Sequence, residues 1–163
     1  MSVYHGSLHN FKVAKPFYTR RSHIKNGKSI IDYEGISLHA TPYKWMALAY
    51  TGNRLPYTYN GIKKIFEFGV PIKQKNDDFE RNIFIYGKKS LEYSLKKLYG
   101  NGGYLYTFNE NKFEWVNGLG INEVISYDDQ VPQKIKFIKD PVKEMKKLGV
   151  NFVFINETKK HIE

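Results

Sequence analysis

Residues 122–131 read Asn-Glu-Val-Ile-Ser-Tyr-Asp-Asp-Gln-Val, and residues 134–139 continue with Lys-Ile-Lys-Phe-Ile-Lys. Both stretches contain short runs of β-branched and aromatic residues bounded by Asn, Asp or Pro, which is typical of strands. The second stretch alternates lysine with apolar side chains, the period expected of a strand with one buried face. We therefore predict strands at residues 123–127 and 135–138, with Glu123 at the start of the first.

The rest of the chain contains similar runs separated by three helical segments. Thr41 and Pro42 form a helix start signal, and apolar side chains surround nearly the whole segment that follows, so this helix should be buried. Asp140 is a cap of the same kind for the last helix, and Gly100 ends the middle one, whose lysines place it at the surface. Further strands are predicted at residues 3–5, 36–40, 65–70, 82–86, 104–108 and 151–155, and the helices at residues 41–51, 88–99 and 140–148.

Strands outnumber helices and do not alternate with them regularly, so the pattern favours an α+β fold in one domain over residues 1–163. Neither a GxGxxG nor a GxxxxGK[ST] motif occurs, which argues against a Rossmann fold and a P-loop.

Composition excludes several classes of chemistry. The chain has no cysteine, which removes thiolate catalysis and cysteine-ligated metals, and its five histidines show no metal-ligand spacing. No secretory signal pattern and no long apolar run is present, so we expect a soluble, cytoplasmic protein without a membrane partner. The net charge of +10 suits an acidic, phosphate-bearing partner.

Three local patterns follow one another along the chain. Tyr4-His5-Gly6-Ser7 ends the first predicted strand, residues 35–41 (Gly-Ile-Ser-Leu-His-Ala-Thr) run into the buried helix, and residues 122–131 contain Glu123. In this order the patterns resemble the ADP-ribosyltransferase superfamily, in the branch of the diphtheria-like toxins and poly(ADP-ribose) polymerases. Those enzymes carry His-Gly-Ser/Thr on an early strand and Asn-Glu-aromatic-Ile-Val-Tyr-Asp on a late one.

The resemblance implies two packed, mostly antiparallel sheets around an NAD cleft, with a few peripheral helices. It implies that His5 hydrogen-bonds a ribose hydroxyl, that the Gly6 backbone and Ser7 hydroxyl hold the nicotinamide amide, and that Glu123 stabilises the charge developing on the ribose. Glycine suits its contact because it has no Cβ to keep the nicotinamide ring away. Without the resemblance, His5 reads as a strand-end histidine bonded to a backbone carbonyl, and Glu123 as an exposed edge residue.

The remaining site residues depend on the same resemblance. Tyr50 would form one wall of the nicotinamide slot and His39, or Leu38, the other. Arg20 and Arg21 lie in the basic segment 18–28, where such enzymes carry a loop over the dinucleotide; the alternative is a solvated loop. Trp115 falls at the target-recognition loop, although it could equally fill the core.

The function implied is NAD-dependent mono-ADP-ribosyl transfer to a macromolecular acceptor, protein or nucleic acid. Transfer to water, which would make the protein an NAD glycohydrolase, is a variant. A non-catalytic basic module that binds nucleic acid is the alternative from another class. NAD-dependent removal of a 2′-phosphate from RNA ranks lower, because the chain has no arginine after Arg81.

Overall fold

A computed structural model describes residues 1–53, 58–59, 62–63, 66–68, 80–119 and 122–156. The strands are β1 (Ser2–Ser7), β2 (Phe17–Lys25), β3 (Lys28–Ala40), β4 (Thr58–Tyr59), β5 (Ile62–Lys63), β6 (Phe66–Phe68), β7 (Asn82–Gly87), β8 (Gly103–Asn109), β9 (Val124–Ser126), β10 (Lys134–Ile138) and β11 (Asn151–Asn156). The helices are α1 (Lys44–Ala49), α2 (Leu91–Tyr99) and α3 (Pro141–Lys147), with a short 3₁₀ turn at Glu110–Lys112.

The α+β class is confirmed, with more strand than helix in the described residues. Two three-stranded sheets are antiparallel, in the orders β1-β8-β10 and β2-β3-β9. A third has the order β11-β7-β6 and contains one parallel pair, β11 with β7, while β4 and β5 form a small hairpin. In the described ranges the strands thus form three larger sheets where two were expected. The first two meet where Tyr4 and Thr41 exchange backbone hydrogen bonds of 2.7 and 2.9 Å.

Most predicted strands are confirmed, with ends shifted by a few residues. Those at residues 3–5, 82–86, 104–108, 135–138 and 151–155 are each slightly longer than predicted, and 36–40 is the end of the longer β3. The strand predicted at 65–70 is seen as β6, and the rest of that range lies outside the described residues. The strand predicted at 123–127 is shorter and begins after Glu123.

The loop expected over residues 18–28 is wrong, because this segment is an antiparallel hairpin of β2 and β3. Lys25 pairs with Lys28, and the connecting residues Asn26 and Gly27 both have positive φ, 52° and 73°. Positive φ at both central residues defines a type I′ turn, for which Asn-Gly is the favoured sequence. Most side chains of the hairpin are exposed, and the buried ones of β3 are at its end, Ser37 to Ala40.

The expected cap of the first helix is also wrong. Thr41 remains bridged to β1, and its hydroxyl accepts a hydrogen bond from the Tyr43 N–H at 3.1 Å, so α1 begins only at Lys44. The prediction that this helix is buried is confirmed, since its residues Trp45 to Ala49 are all buried.

The other two helices have side-chain caps. The middle helix starts at Leu91 rather than residue 88, because the Ser90 hydroxyl accepts the Tyr93 N–H at 3.1 Å. The third helix starts as predicted, with the Asp140 carboxylate accepting the Lys143 N–H at 3.0 Å.

Two apolar clusters hold these elements together. One packs all three helices against β7 and one face of β8, and the other fills the space between β1, β8, β3 and β9. The described helices include none with the length and apolar character needed to cross a bilayer. The ends of β1 and β3, the middle and end of α1 and the segment before β9 lie around one opening.

Candidate functional site

A cleft of about 1080 Å³ opens between the end of β1, the base of the β2–β3 hairpin, α1 and the segment that precedes β9. It collects residues that are far apart in the sequence. The predicted site residues that line it are His5, Gly6, Ser7, Arg21, His39, Tyr50 and Glu123, together with the alternative wall residue Leu38. Arg20 and Trp115 do not line it.

His5 lies on β1 with its ring held in one orientation. Its Nδ1–H donates to the backbone carbonyl of His39 at 2.7 Å, and Phe11 and Tyr106 pack around the ring at centroid distances of 6.1 and 6.2 Å. Because a carbonyl only accepts, the Nδ1 atom must carry the proton, which leaves Nε2 as the acceptor of a neutral ring. The hydrogen bond to a backbone carbonyl that is expected of a structural histidine is thus present, and the same side chain also lines the cleft.

Glu123 immediately precedes β9, and two side chains, those of His39 and Arg21, donate hydrogen bonds to its carboxylate. Its Oε1 accepts from His39 Nδ1 at 2.5 Å and from the Arg21 guanidinium at 3.0 Å. Burial of the carboxyl raises its pKa, but the hydrogen bond from His39 and the charge of Arg21 outweigh that effect and hold the pKa of Glu123 below its ordinary value of 4.5. The carboxyl is therefore ionised at neutral pH, and with its side chain 25% exposed it is not the exposed edge residue of the alternative.

His39 connects the two candidate catalytic residues. Its backbone carbonyl binds His5, its Nδ1 binds Glu123, and its Nε2 is 2.9 Å from the hydroxyl of Ser37. The Ser37 hydroxyl is in turn 2.8 Å from the Tyr33 hydroxyl. An ionised carboxylate accepts only, so Nδ1 carries the His39 proton and, in the neutral ring, Nε2 accepts from Ser37. Since His39 is only 8% exposed and Ser37 is fully buried, this relay is fixed inside the protein.

Gly6 has a packing role that the sequence did not indicate. A Cβ at this position would lie 1.8 Å from the carbonyl oxygen of Ala47 in α1, so only glycine lets the helix approach β1 this closely. Ser7 follows in the lining of the cleft, and its Oγ accepts the His9 N–H at 3.0 Å.

The two neighbouring arginines of β2 have different surroundings. Arg21 pairs with Tyr33 across the hairpin and lines the cleft, whereas Arg20 pairs with Glu34 and its Nε is 3.7 Å from that carboxylate. Successive side chains of a strand point to opposite faces, which explains the difference.

A bulge in the hairpin adds a second hydrogen-bonded side-chain pair to the cleft. The register shifts between Arg21 and Ser22, so that Asp32 is an extra residue on β3, and such bulges redirect side chains. The Asp32 carboxylate lies 2.8 and 2.9 Å from His23 Nδ1. Gly118, at φ 90°, packs against this bulge, since its Cβ would lie 1.8 Å from the Asp32 carbonyl oxygen.

The two aromatic predictions have different outcomes. Tyr50 is half-buried at the end of α1, lines the cleft and meets Phe66 edge-on at 5.2 Å. Trp115 is 55% exposed, so the alternative that it fills the core is wrong. The roles proposed for both in ligand and target binding stay predictions.

Several residues of the cleft were missed in the sequence. Lys15, His23, Asp32 and Asn122 line the cleft itself. Tyr33 and Ser37 lie outside its lining and are linked to it through the hydrogen bonds of His39. Tyr33, Ser37 and His39 have the even spacing that places side chains on one face of a strand, and this signal could have linked them. The buried Asn122 Oδ1 has no hydrogen-bond partner in the described part of the chain and lies beside Glu123 in the lining.

The described residues contain no group of three or more His, Cys, Asp or Glu side chains placed to hold a metal ion. Comparison with known proteins found no matching family model, no matching curated protein and no matching solved structure.

Proposed function

We propose that the protein is an NAD-dependent mono-ADP-ribosyltransferase with an ADP-ribosyltransferase-like fold. The observation that carries the proposal is the junction at His39, which joins His5 through its carbonyl and Glu123 through its ring within one cleft. These are the two residues that, according to the resemblance, contact the nicotinamide ribose of NAD. The carboxylate is ionised, fixed and partly buried, as electrostatic stabilisation of a developing cation requires.

In the proposed reaction, Glu123 accepts a hydrogen bond from the 2′-hydroxyl of the nicotinamide ribose. The bond between the ribose C1′ and the nicotinamide nitrogen breaks, and its electron pair leaves with neutral nicotinamide. The cationic ribose carbon is stabilised by the carboxylate until a nucleophilic oxygen or nitrogen of the acceptor bonds to C1′ and gives up its proton to solvent. In other enzymes, removing a comparable group raises the free energy of the transition state by about 3–4 kcal/mol.

The cleft suits a dinucleotide in size and in chemistry. Its volume of about 1080 Å³ is slightly above the range of about 300–1000 Å³ typical of small-molecule sites, so it has room for a dinucleotide. Arg21 uses a single guanidinium nitrogen for Glu123, and Lys15 adds a second positive charge in the lining for the pyrophosphate. The Asn122 Oδ1 offers an acceptor that an amide N–H of the ligand would satisfy.

Release of nicotinamide from NAD tests the proposal. Wild type is expected to release nicotinamide, and Glu123→Gln to reduce the rate by about 100- to 1000-fold. Glu114→Gln is the matched control, because Glu114 is an exposed carboxylate whose backbone bridges Ile125 of β9. Equal rates in wild type and Glu123→Gln would contradict the proposal, and release without labelling of any acceptor would identify water as the acceptor.

A further inference from the structure

A second groove lies apart from the cleft, between α2, β10 and α3. Its volume is about 630 Å³, and it shares no lining residue with the cleft. Its floor is the buried Ile138 at the end of β10, the edge strand of the β1-β8-β10 sheet. The groove is therefore a separate feature of the surface.

Four exposed lysines surround this groove, three from α2, β10 and α3 and one from the link between β10 and α3, and they are Lys96, Lys136, Lys143 and Lys139. In the described ranges, none of the four forms an ion pair. The two carboxylates of the groove are already engaged: Asp140 caps α3, and Glu144 lies 3.6 Å from the ammonium group of Lys147. With four lysines against two carboxylates, the lining of the groove has a net positive charge.

An aromatic residue, Phe137, also lines the groove, with its ring on the opposite face of the edge strand β10 from Ile138. Phe137 is 52% exposed, although the Tyr104 ring supports it at a centroid distance of 5.2 Å. Gly102, at φ 71°, leaves room for it, since a Cβ there would lie 2.9 Å from Phe137 Cζ. The ring is thus held by the protein on one side while much of its surface stays accessible.

We infer that this groove binds single-stranded nucleic acid, with phosphates at the four lysines and a base stacked on Phe137. A positive groove with an accessible aromatic ring is the combination that recognises unpaired strands, because every base has a face to stack. A duplex hides its base faces, and an acidic peptide or lipid headgroup would use the lysines without needing Phe137. The site is independent of the proposed NAD reaction.

Fluorescence polarisation with a labelled oligothymidylate of about 12 nucleotides tests this inference. At about 0.1 M salt each phosphate contact to a single strand contributes roughly 5-fold to the binding constant. The double variant Lys136→Gln/Lys143→Gln is therefore expected to bind about 25-fold more weakly and to flatten the log–log salt slope by about 1.4. Lys25→Gln/Lys28→Gln, which removes the same charge at the hairpin turn, is the matched control and should bind like wild type.

The ring is tested with Phe137→Leu, which keeps apolar contact with Tyr104 and should weaken binding at least about 5-fold. Equal weakening in the control double variant would overturn the inference, and so would an unchanged affinity in Phe137→Leu. Tighter binding to duplex DNA, polyglutamate or anionic vesicles, with the same dependence on the groove lysines, would also overturn it.

The NAD proposal can fail separately from this one. Glu123→Gln is expected to leave oligonucleotide binding unchanged, while Lys136→Gln/Lys143→Gln should leave nicotinamide release unchanged. Thermal unfolding of each variant checks that the fold is retained.

Discussion

Replacing Ser37 with alanine is expected to reduce the proposed NAD cleavage although Ser37 lies outside the cleft lining. Its hydroxyl lies 2.9 Å from His39 Nε2 and 2.8 Å from the Tyr33 hydroxyl. Without it, the His39 ring keeps its bond to Glu123 on one side but loses its partner on the other. The ring, and the carboxylate that it positions, should then sample other orientations.

The size of the effect follows from burial. Ser37 is fully buried and His39 is 8% exposed, so water does not readily replace the lost hydroxyl. Leaving a buried polar group unsatisfied costs about 1–3 kcal/mol, and we expect the free energy of unfolding to fall by this amount. If the same energy orients Glu123 in the transition state, kcat falls by about 5- to 150-fold while KM changes little.

The assay is nicotinamide release measured as kcat and KM, with urea unfolding in parallel. Ser126→Ala is the matched control. Ser126 is a buried serine of β9 that pairs with Leu38 of β3, and its hydroxyl accepts a hydrogen bond from Gln130 at 2.8 Å. It should lose comparable stability and keep its kcat. A Ser37→Ala variant that loses stability but retains wild-type kcat would refute a positioning role for the relay.

Substitutions at three other positions give independent checks. Arg21→Gln removes one cause of the lowered pKa of Glu123, so the acidic limb of the pH–rate profile should move to higher pH. The free energy of unfolding in urea at neutral pH should change by less than about 1 kcal/mol, because the Arg21–Glu123 pair is partly exposed. Because folding lowers the pKa of Glu123, its ionised carboxylate stabilises the fold above pH 4.5, and this stabilisation is lost as the pH falls through the folded-state pKa. On acidification, the free energy of unfolding of Arg21→Gln should therefore fall by less than that of wild type. Gly6→Ala should lower the free energy of unfolding by about 1–3 kcal/mol, because its Cβ would overlap the Ala47 carbonyl; unchanged stability in urea would contradict the packing described. Asp140→Ala should cost about 1 kcal/mol by removing the α3 cap, seen as a melting temperature lower by about 2–4 °C, and Asp140→Asn should recover most of it.

Local chemistry made much of the fold predictable. The start of α3 at Asp140 needs only the residues around it, and the strand at 104–108 shows its apolar character directly. Thr41 has an equally good local cap signal, but its backbone bonds to Tyr4 keep it in extended structure. Such a contact between distant strands is not visible in a local pattern.

The β2–β3 hairpin was missed for a different reason. Its outer half is basic, polar and mostly exposed, so the composition favours a loop. The Asn26-Gly27 pair was the available signal for a tight turn.

The candidate site was predictable only in part. The order of the three sequence patterns indicated His5 and Glu123, and both line the cleft. The hydrogen bonds of His39 depend on the register of β3 against β9 and on the position of Glu123 before β9. The bulge that adds Asp32 to the cleft likewise has no signature in composition.

The most direct test of the central claim is a crystal structure of the protein with a non-hydrolysable NAD analogue. We expect the nicotinamide ribose to lie in the cleft, with its 2′-hydroxyl within hydrogen-bonding distance, about 2.6–3.2 Å, of a Glu123 carboxylate oxygen and another ribose hydroxyl on His5. An analogue bound elsewhere, or a ribose that contacts neither residue, would contradict the account.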